Sequence, residues 1–187
     1  MKNRLKITRN VVIFCALLGG SPVSHANTQE AELKAAFLVN FAKFVEWLDN
    51  VNKSPEAIEF CLFGVERYRH VFSSTIESKA IKGLAPVTHV KTFDEDINNC
   101  DVAYIGGLQT PQRRYLQAQL KDKPILTVGE DTDFIRDGGI IRLYAEQGKL
   151  RFEINPDAAT ANRLKVSSRL LRLAKITKTS ETNGAEK

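Results

Sequence analysis

The 187-residue sequence lacks the patterns that would assign it to several common functional classes. The apolar run VVIFCALLGG at 11–20 is well short of the roughly 20 residues that a membrane-spanning helix needs. Gly106-Gly107 and Gly138-Gly139 do not stand in the GxGxxG or GxxxxGK(S/T) context that cradles phosphates, so we interpret them as turns. Neither Ser73-Ser74 nor Ser167-Ser168 lies in a GxSxG elbow. We therefore predict that the protein is not an enzyme.

Metal-binding patterns are also missing. The acidic segment 94–96, with Asp101 nearby, lacks the glycine and the closing glutamate of a calcium loop, and we interpret it as a solvated turn. His70 and His89 are not spaced as ligands of one metal ion. The sequence therefore predicts neither a metal nor a cofactor.

Residues 1–26 have the pattern of a cleavable secretory signal peptide. Basic residues precede the short apolar run, and Ser24 and Ala26 then occupy the small-residue positions of a signal-peptidase site. Cleavage after Ala26 removes four of the 27 basic side chains and none of the 22 acidic ones, so no basic stripe typical of nucleic-acid binders remains. We predict export to the periplasm, one domain over 27–177 and a disordered polar tail over 178–187. The alternative is an uncleaved anchor.

Two cysteines, Cys61 and Cys100, remain after the predicted cleavage. An even pair in an oxidising compartment is typical of a disulfide. Closing a loop of about 40 residues would stabilise the fold by up to about 4 kcal/mol in the chain-entropy view. The alternatives are a metal site or a redox pair, although the spacing is not CxxC.

The segment AELKAAFLVNFAKFVEW at 31–47 predicts an amphipathic helix that continues to Leu48. The expected apolar stripe consists of Leu33, Phe37, Phe41, Phe44 and Leu48. Its arc covers about half the circumference, which is typical of a deeply buried helix. The alternative is that one margin of the helix contacts a partner protein or a second copy.

Apolar strands alternate with helices between 57 and 137, which predicts an α/β fold with a mostly parallel sheet. Strands are expected at 57–64, 85–93, 101–107 and 124–130, and helices at 66–78, 110–121 and 131–139. An antiparallel hairpin over 140–155, a short helix after Asn155-Pro156 and a last helix over 168–176 complete the pattern. We predict a three-layer sandwich with a C-terminal antiparallel hairpin.

Several separated motifs resemble the YfiR family of periplasmic regulators. They are KAAFLVNFAKFVEW, CLFG, NNCDVAYIGG, ILTVGE, DFIRDGGIIRL, RFEIN and LKVSSRLLRLAKI, in that order between about 32 and 176. The resemblance implies an α/β sandwich, often dimeric, that represses a membrane-bound diguanylate cyclase by binding its periplasmic sensor domain. It also implies capture of the regulator by an OmpA-like outer-membrane lipoprotein. The sequence lacks the second cysteine pair that members can carry, which argues against redox control through a second bridge.

The resemblance directs attention to a partner-facing surface near the C-terminus. If residues 164–167 are extended, Lys165 and Ser167 face outward, and Glu153 is expected to face outward beside them, with Ala159 on the helix between. Trp47 is a second contact candidate because Trp is enriched at binding hot spots. The alternatives are a surface ion pair without function and a core Trp.

Two other functions stay open at this point. A small-molecule sensor would bind its ligand at the carboxyl ends of the strands, where open α/β sheets bind ligands. A hydrolase would need a base close to a nucleophile in a cleft, an arrangement that the sequence does not indicate.

Overall fold

The structure is a computed structural model that describes residues 23–48 and 56–178. Most of the predicted signal peptide, 1–22, and nearly all of the predicted tail, 179–187, lie outside the described residues. The helices are α1 (Val23–Lys43), α2 (Arg69–Glu77), α3 (Thr110–Leu120), α4 (Pro156–Ala161) and α5 (Ser168–Leu171). The strands are β1 (Val45–Trp47), β2 (Ala57–Phe63), β3 (Ala85–Lys91), β4 (Val102–Ile105), β5 (Leu126–Gly129), β6 (Ile141–Glu146), β7 (Lys149–Ile154), β8 (Leu164–Val166) and β9 (Lys175–Ile176).

The main sheet has seven strands in the order β3-β2-β4-β5-β6-β7-β9. Strands β2 to β6 pair in parallel, β7 is antiparallel to β6, and β9 is parallel to β7. The chain passes from β2 to β3 on one side and then returns to form β4 on the other side of β2. The strand order therefore reverses between β2 and β4, which makes that point the topological switch point of the sheet.

Helices cover both faces of the sheet, and the three-layer α/β prediction is confirmed. In β2, Ile58, Phe60 and Leu62 point into a large core shared with α1 and α2. Cys61 and Phe63 point into a smaller core under α3. A strand covered on both faces is apolar at nearly every position, which explains the continuous apolar sequence of β2.

The disulfide between Cys61 and Cys100 is present, with a Cα–Cα distance of 5.7 Å. Both cysteines are buried in the core under α3. The bridge joins the middle of β2 to the residue two positions before β4. It therefore ties together the two strands that flank the switch point.

The opening helix differs from its prediction in length and in its buried face. Helix α1 ends at Lys43, and the predicted helical residues after it form β1, which pairs with β8. Leu33 and Leu48 are 46% and 51% exposed. The buried positions are mainly small or β-branched: Ala31, Ala35, Leu38, Val39, Phe41 and Ala42. The buried side of the helix runs through Ala31, Ala35, Leu38 and Ala42, and Leu33 lies on the opposite side.

The segment 131–139, predicted as a short helix, is a series of turns. Two side chains of α3 bind it: Arg113 donates to Asp137 at 2.8 Å and Gln117 donates to the backbone carbonyl of Phe134 at 3.1 Å. The Phe134 ring packs so tightly on Gly139 that a Cβ there would lie 2.2 Å from it. These contacts hold the segment in place of intrahelical hydrogen bonds. They join residues that are distant in the sequence, so hydrophobic periodicity could not predict them.

The C-terminal part also differs from prediction in detail. The predicted last helix is limited to the four residues of α5, and Leu173, expected on its apolar side, is 71% exposed. The chain instead forms β9 at the edge of β7. The predicted hairpin is confirmed, and its turn residues Gln147 and Gly148 both have positive φ, of 51° and 72°.

Candidate functional site

The two-stranded ribbon of β1 and β8 presents a polar outer face. Glu46 and Lys165 are cross-strand partners, and Lys165 Nζ lies 3.3 Å from Glu46 Oε2. Both side chains are about two-thirds exposed, at 63% and 66%. The prediction that Lys165 faces outward is confirmed, but its partner is Glu46 rather than Glu153.

Trp47 lies at the end of the ribbon and lines a groove. Lys82 Nζ lies 5.6 Å from the centroid of the Trp47 ring and donates a hydrogen bond to the Val45 carbonyl. The groove has a volume of about 250 Å³ and is lined by Glu46, Trp47, Ala57, Ile58, Lys82, Leu84 and Asp101. Trp47 is half-buried, so it is neither a core Trp nor a fully exposed one. A ring in this position can be covered further by a partner.

Ser167 is half-buried directly after β8. Its hydroxyl oxygen accepts a hydrogen bond from the Leu170 amide at 3.3 Å and thereby caps the N-terminus of α5. The ribbon surface is defined here as Glu46, Trp47, Lys82, Lys165 and Ser167. Trp47, Lys165 and Ser167 of this surface were expected from the sequence, whereas Glu46 and Lys82 were not.

Glu153 does not face outward as predicted, because it is only 4% exposed. Arg142 Nε donates to Glu153 Oε1 at 2.5 Å, Thr177 Oγ1 donates to Oε2 at 2.9 Å, and Lys175 Nζ lies 3.6 Å away. Burial alone would raise the pKa of Glu153, but the hydrogen bonds from Arg142 and Thr177 outweigh burial and the pKa lies below its usual value. Addition of β9 beside β7 encloses the carboxylate, which therefore links β6, β7 and the C-terminal segment.

Ala159 is not on an exposed surface either. It is 1% exposed and belongs to the large core under α1 and α2. Helix α4 has only six residues, and Ala159 is its single buried position. The small side chain therefore fits the packing of α4 against the core, and the expectation of a partner contact there is wrong in its geometry.

A cleft opens at the carboxyl ends of β2 and β4, at the switch point of the sheet. The cleft has a volume of about 330 Å³, and we call it the switch-point cleft. It is lined by Asn27, Glu30, Ala31, Lys34, Gly64, Val65, Tyr68, Phe72, Tyr104, Gly106, Gly107 and Glu130. Gly106 and Gly107, predicted as turn residues, lie in irregular backbone after β4, and together with Gly64 after β2 they form part of the cleft wall. Sequence reasoning expected a ligand at this edge only as an alternative and did not identify its side chains.

A charged cluster spans the switch-point cleft. Lys34 Nζ lies 2.6 Å from Glu30 and 2.8 Å from Glu130, and the Tyr104 hydroxyl donates to the other oxygen of Glu130. Burial lowers the pKa of Lys34, but the hydrogen bonds to Glu130 and Glu30 outweigh it and the pKa lies above its ordinary value. Burial, followed by the negative charge of Glu130, raises the pKa of Tyr104 well above its ordinary value. Lys34 is therefore charged and Tyr104 neutral at physiological pH.

Within residues 23–48 and 56–178, no three His, Cys, Asp or Glu side chains are grouped so that they could hold a metal ion. None of the helices in these ranges is both long enough and apolar enough to cross a membrane.

The sequence profile of the YfiR/HmsC-like family matches residues 31–175, which is most of the chain. The chain belongs to the YfiR/HmsC-like family. The match begins inside α1 and ends in β9, so it includes the ribbon surface and most of the switch-point cleft of this YfiR/HmsC-like chain. The resemblance read from the sequence motifs is thereby confirmed. No curated protein matches the chain.

Proposed function

We propose that the chain is an exported periplasmic regulator that binds the periplasmic sensor domain of an inner-membrane diguanylate cyclase and represses the enzyme. Repression would lower cyclic-di-GMP and, with it, biofilm formation. The observation that carries this proposal is membership of the YfiR/HmsC-like family over 31–175. In this proposal the protein acts by binding and not by catalysis. An OmpA-like outer-membrane lipoprotein would capture the regulator and thereby release the cyclase from repression. Formation of a homodimer belongs to the same proposal.

The ribbon surface supplies contacts that suit a protein partner. It combines one half-buried aromatic ring, Trp47, with the exposed charges of Glu46 and Lys165 and with Lys82 above the ring. Aromatic anchors surrounded by polar groups carry most of the binding energy in protein interfaces. Because the ribbon connects α1 to α5, it presents these groups on packed secondary structure, and little ordering entropy is lost on binding.

A binder can repress a cyclase only through a difference in affinity. The regulator shifts the sensor domain towards the inactive state by the ratio of its affinities for the inactive and active states. A ratio of about one hundred corresponds to about 2.7 kcal/mol and would move an evenly populated sensor almost entirely to the inactive state.

The test measures binding of the purified chain to the periplasmic domain of a diguanylate cyclase from the same organism. Trp47→Ala removes the proposed anchor and is expected to weaken binding by about 30-fold, as hot-spot truncations do. Lys165→Glu reverses a surface charge and is expected to slow association. Lys149→Glu, at the exposed hairpin turn, is the matched control and should bind like the wild type. Equal affinity of all three variants would refute the ribbon surface as the contact.

A cellular experiment tests the repression itself. Deletion of the gene should raise cyclic-di-GMP and biofilm in a strain that keeps the cyclase, and the Trp47→Ala variant should fail to restore the low level. A flat cyclic-di-GMP level after deletion would show that the chain does not repress the enzyme.

A second candidate function is a periplasmic small-molecule sensor, which the switch-point cleft favours. Open α/β sheets bind ligands outside the carboxyl ends of their strands, where the strand order reverses. A shift in the unfolding temperature with a metabolite library would support this function, and no shift across a broad library would argue against it.

A further inference from the structure

We propose that the switch-point cleft binds a small organic cation, an ammonium group carried on a flat apolar body. The cleft is separate from the ribbon surface. Its walls include Gly64 directly after β2, whereas the groove beside Trp47 is lined by Ala57 and Ile58 at the start of β2. The two lie at opposite ends of the same central strand, so they can be tested independently.

The charged side chains of the cleft favour a ligand with a positive charge. Among the side chains that line the cleft, two carboxylates, those of Glu30 and Glu130, stand against the single ammonium of Lys34, while Tyr104 is neutral. Each carboxylate can accept about four hydrogen bonds, so these two retain acceptor capacity beyond the bonds from Lys34 and Tyr104. A second ammonium group would use that capacity and balance the charge. An anion would have to displace Lys34 from both carboxylates.

Aromatic rings supply the apolar wall. The rings of Phe72 and Tyr104 stack with their centroids 5.2 Å apart, and Tyr68 lines the cleft beside them. Aromatic faces attract cations, and Arg67 already lies 5.4 Å from the centroid of the Tyr68 ring. Phe72 and Tyr104 are buried, so a flat apolar group would lie against the half-buried Tyr68 ring while its ammonium group reaches the carboxylates.

The volume of the cleft limits the size of the ligand, and the elements that line the cleft determine which parts of the fold a ligand would join. About 330 Å³ is at the lower end of the range for small-molecule pockets, which suits a single-ring amine better than a nucleotide. Glu30 and Lys34 belong to α1, whereas Tyr104 belongs to β4 and Glu130 directly follows β5. A bound cation would add a link between α1 and the sheet.

The direct test compares three probes of one shape on the full chain: 2-phenylethylamine, 2-phenylethanol and phenylacetate. Binding is followed by the amide resonances of the glycines in a 1H–15N NMR spectrum. The amine is expected to shift Gly64, Gly106 and Gly107 with a dissociation constant at or below about 1 mM, and to leave Gly148 of the hairpin turn unmoved. The alcohol and the acid are expected to bind at least about tenfold more weakly, since each lacks the ammonium group.

Variants assign the charge contacts. Glu130→Gln and Glu30→Gln are each expected to lower the affinity for 2-phenylethylamine by about tenfold, because each removes one charge-assisted hydrogen bond to its ammonium group. Glu32→Gln is the matched control, since Glu32 is exposed on the same helix and does not line the cleft. Glu30 is 57% exposed, so its variant should fold even if Glu130→Gln does not.

Three results would overturn the proposal. The first is that the amide resonances of Gly64, Gly106 and Gly107 do not shift with the amine up to about 10 mM, and the second is that all three probes bind equally well. The third is that Glu32→Gln lowers the affinity for the amine as much as the cleft variants do.

Discussion

Replacement of Glu153 by Gln tests whether the buried carboxylate holds the C-terminal segment on the sheet. The change keeps the shape and removes the charge that faces Arg142, whose side chain is only 15% exposed. Removing one partner of a buried pair costs about 3–5 kcal/mol, and a Gln that still accepts hydrogen bonds recovers part of this. Lys175 is 65% exposed and adds little. We expect the free energy of unfolding to fall by about 2–3 kcal/mol.

Urea denaturation followed by the fluorescence of Trp47, the only Trp of the chain, measures this loss. Glu46→Gln is the comparison variant, because it removes an exposed pair with Lys165 and should cost less than about 1 kcal/mol. Hydrogen exchange should show faster opening at Thr177, which loses its bond to the carboxylate. If Glu153→Gln costs no more than Glu46→Gln, the buried carboxylate does not stabilise the segment.

The Glu153→Gln variant should also change how the free energy of unfolding depends on pH. The pKa of Glu153 is lower in the folded chain than the value of about 4.3 for an unfolded Glu. Its contribution to stability is therefore complete above the unfolded pKa and is lost as the pH falls through the folded pKa. The stability difference between the wild type and Glu153→Gln should be largest near neutral pH and should shrink below about pH 4.

Three further changes test other parts of the fold. Reduction of the Cys61–Cys100 bridge should lower the free energy of unfolding by up to about 4 kcal/mol, and equal urea midpoints with and without reductant would contradict this. Ala159→Leu should cost about 1–3 kcal/mol by overpacking the core, and unchanged stability would mean that α4 has room beneath it. Gly64→Ala should cost more than Gly83→Ala in the same denaturation assay. Both glycines have positive φ, but only at Gly64 would the new Cβ lie 2.7 Å from a backbone nitrogen.

The sequence predictions were accurate where interactions between adjacent residues determine an element, and they failed where residues distant in the sequence determine it. The buried strand β2 and the hairpin turn at Gln147 and Gly148 were predicted because burial and turn chemistry act on adjacent residues. The pairing of β1 with β8 was missed because residues 45–47 continue the apolar periodicity of α1 and were predicted as helix, although 164–167 was considered as an extended segment. Glu153 alternates with apolar residues like a surface position, and only its distant partners Arg142 and Thr177 make burial favourable.

The amino-acid sequence by itself determined the α/β class, the pairing of Cys61 with Cys100 and the family, since these depend on local composition and on the order of motifs. The tertiary structure alone decided which side chains meet. It buried Glu153 and Ala159, placed Lys165 beside Glu46, and joined Lys34 to Glu130 across 96 residues of chain. The physical reason is that a charged side chain is buried only where folding brings its counter-charge, and the position of that counter-charge depends on the whole fold.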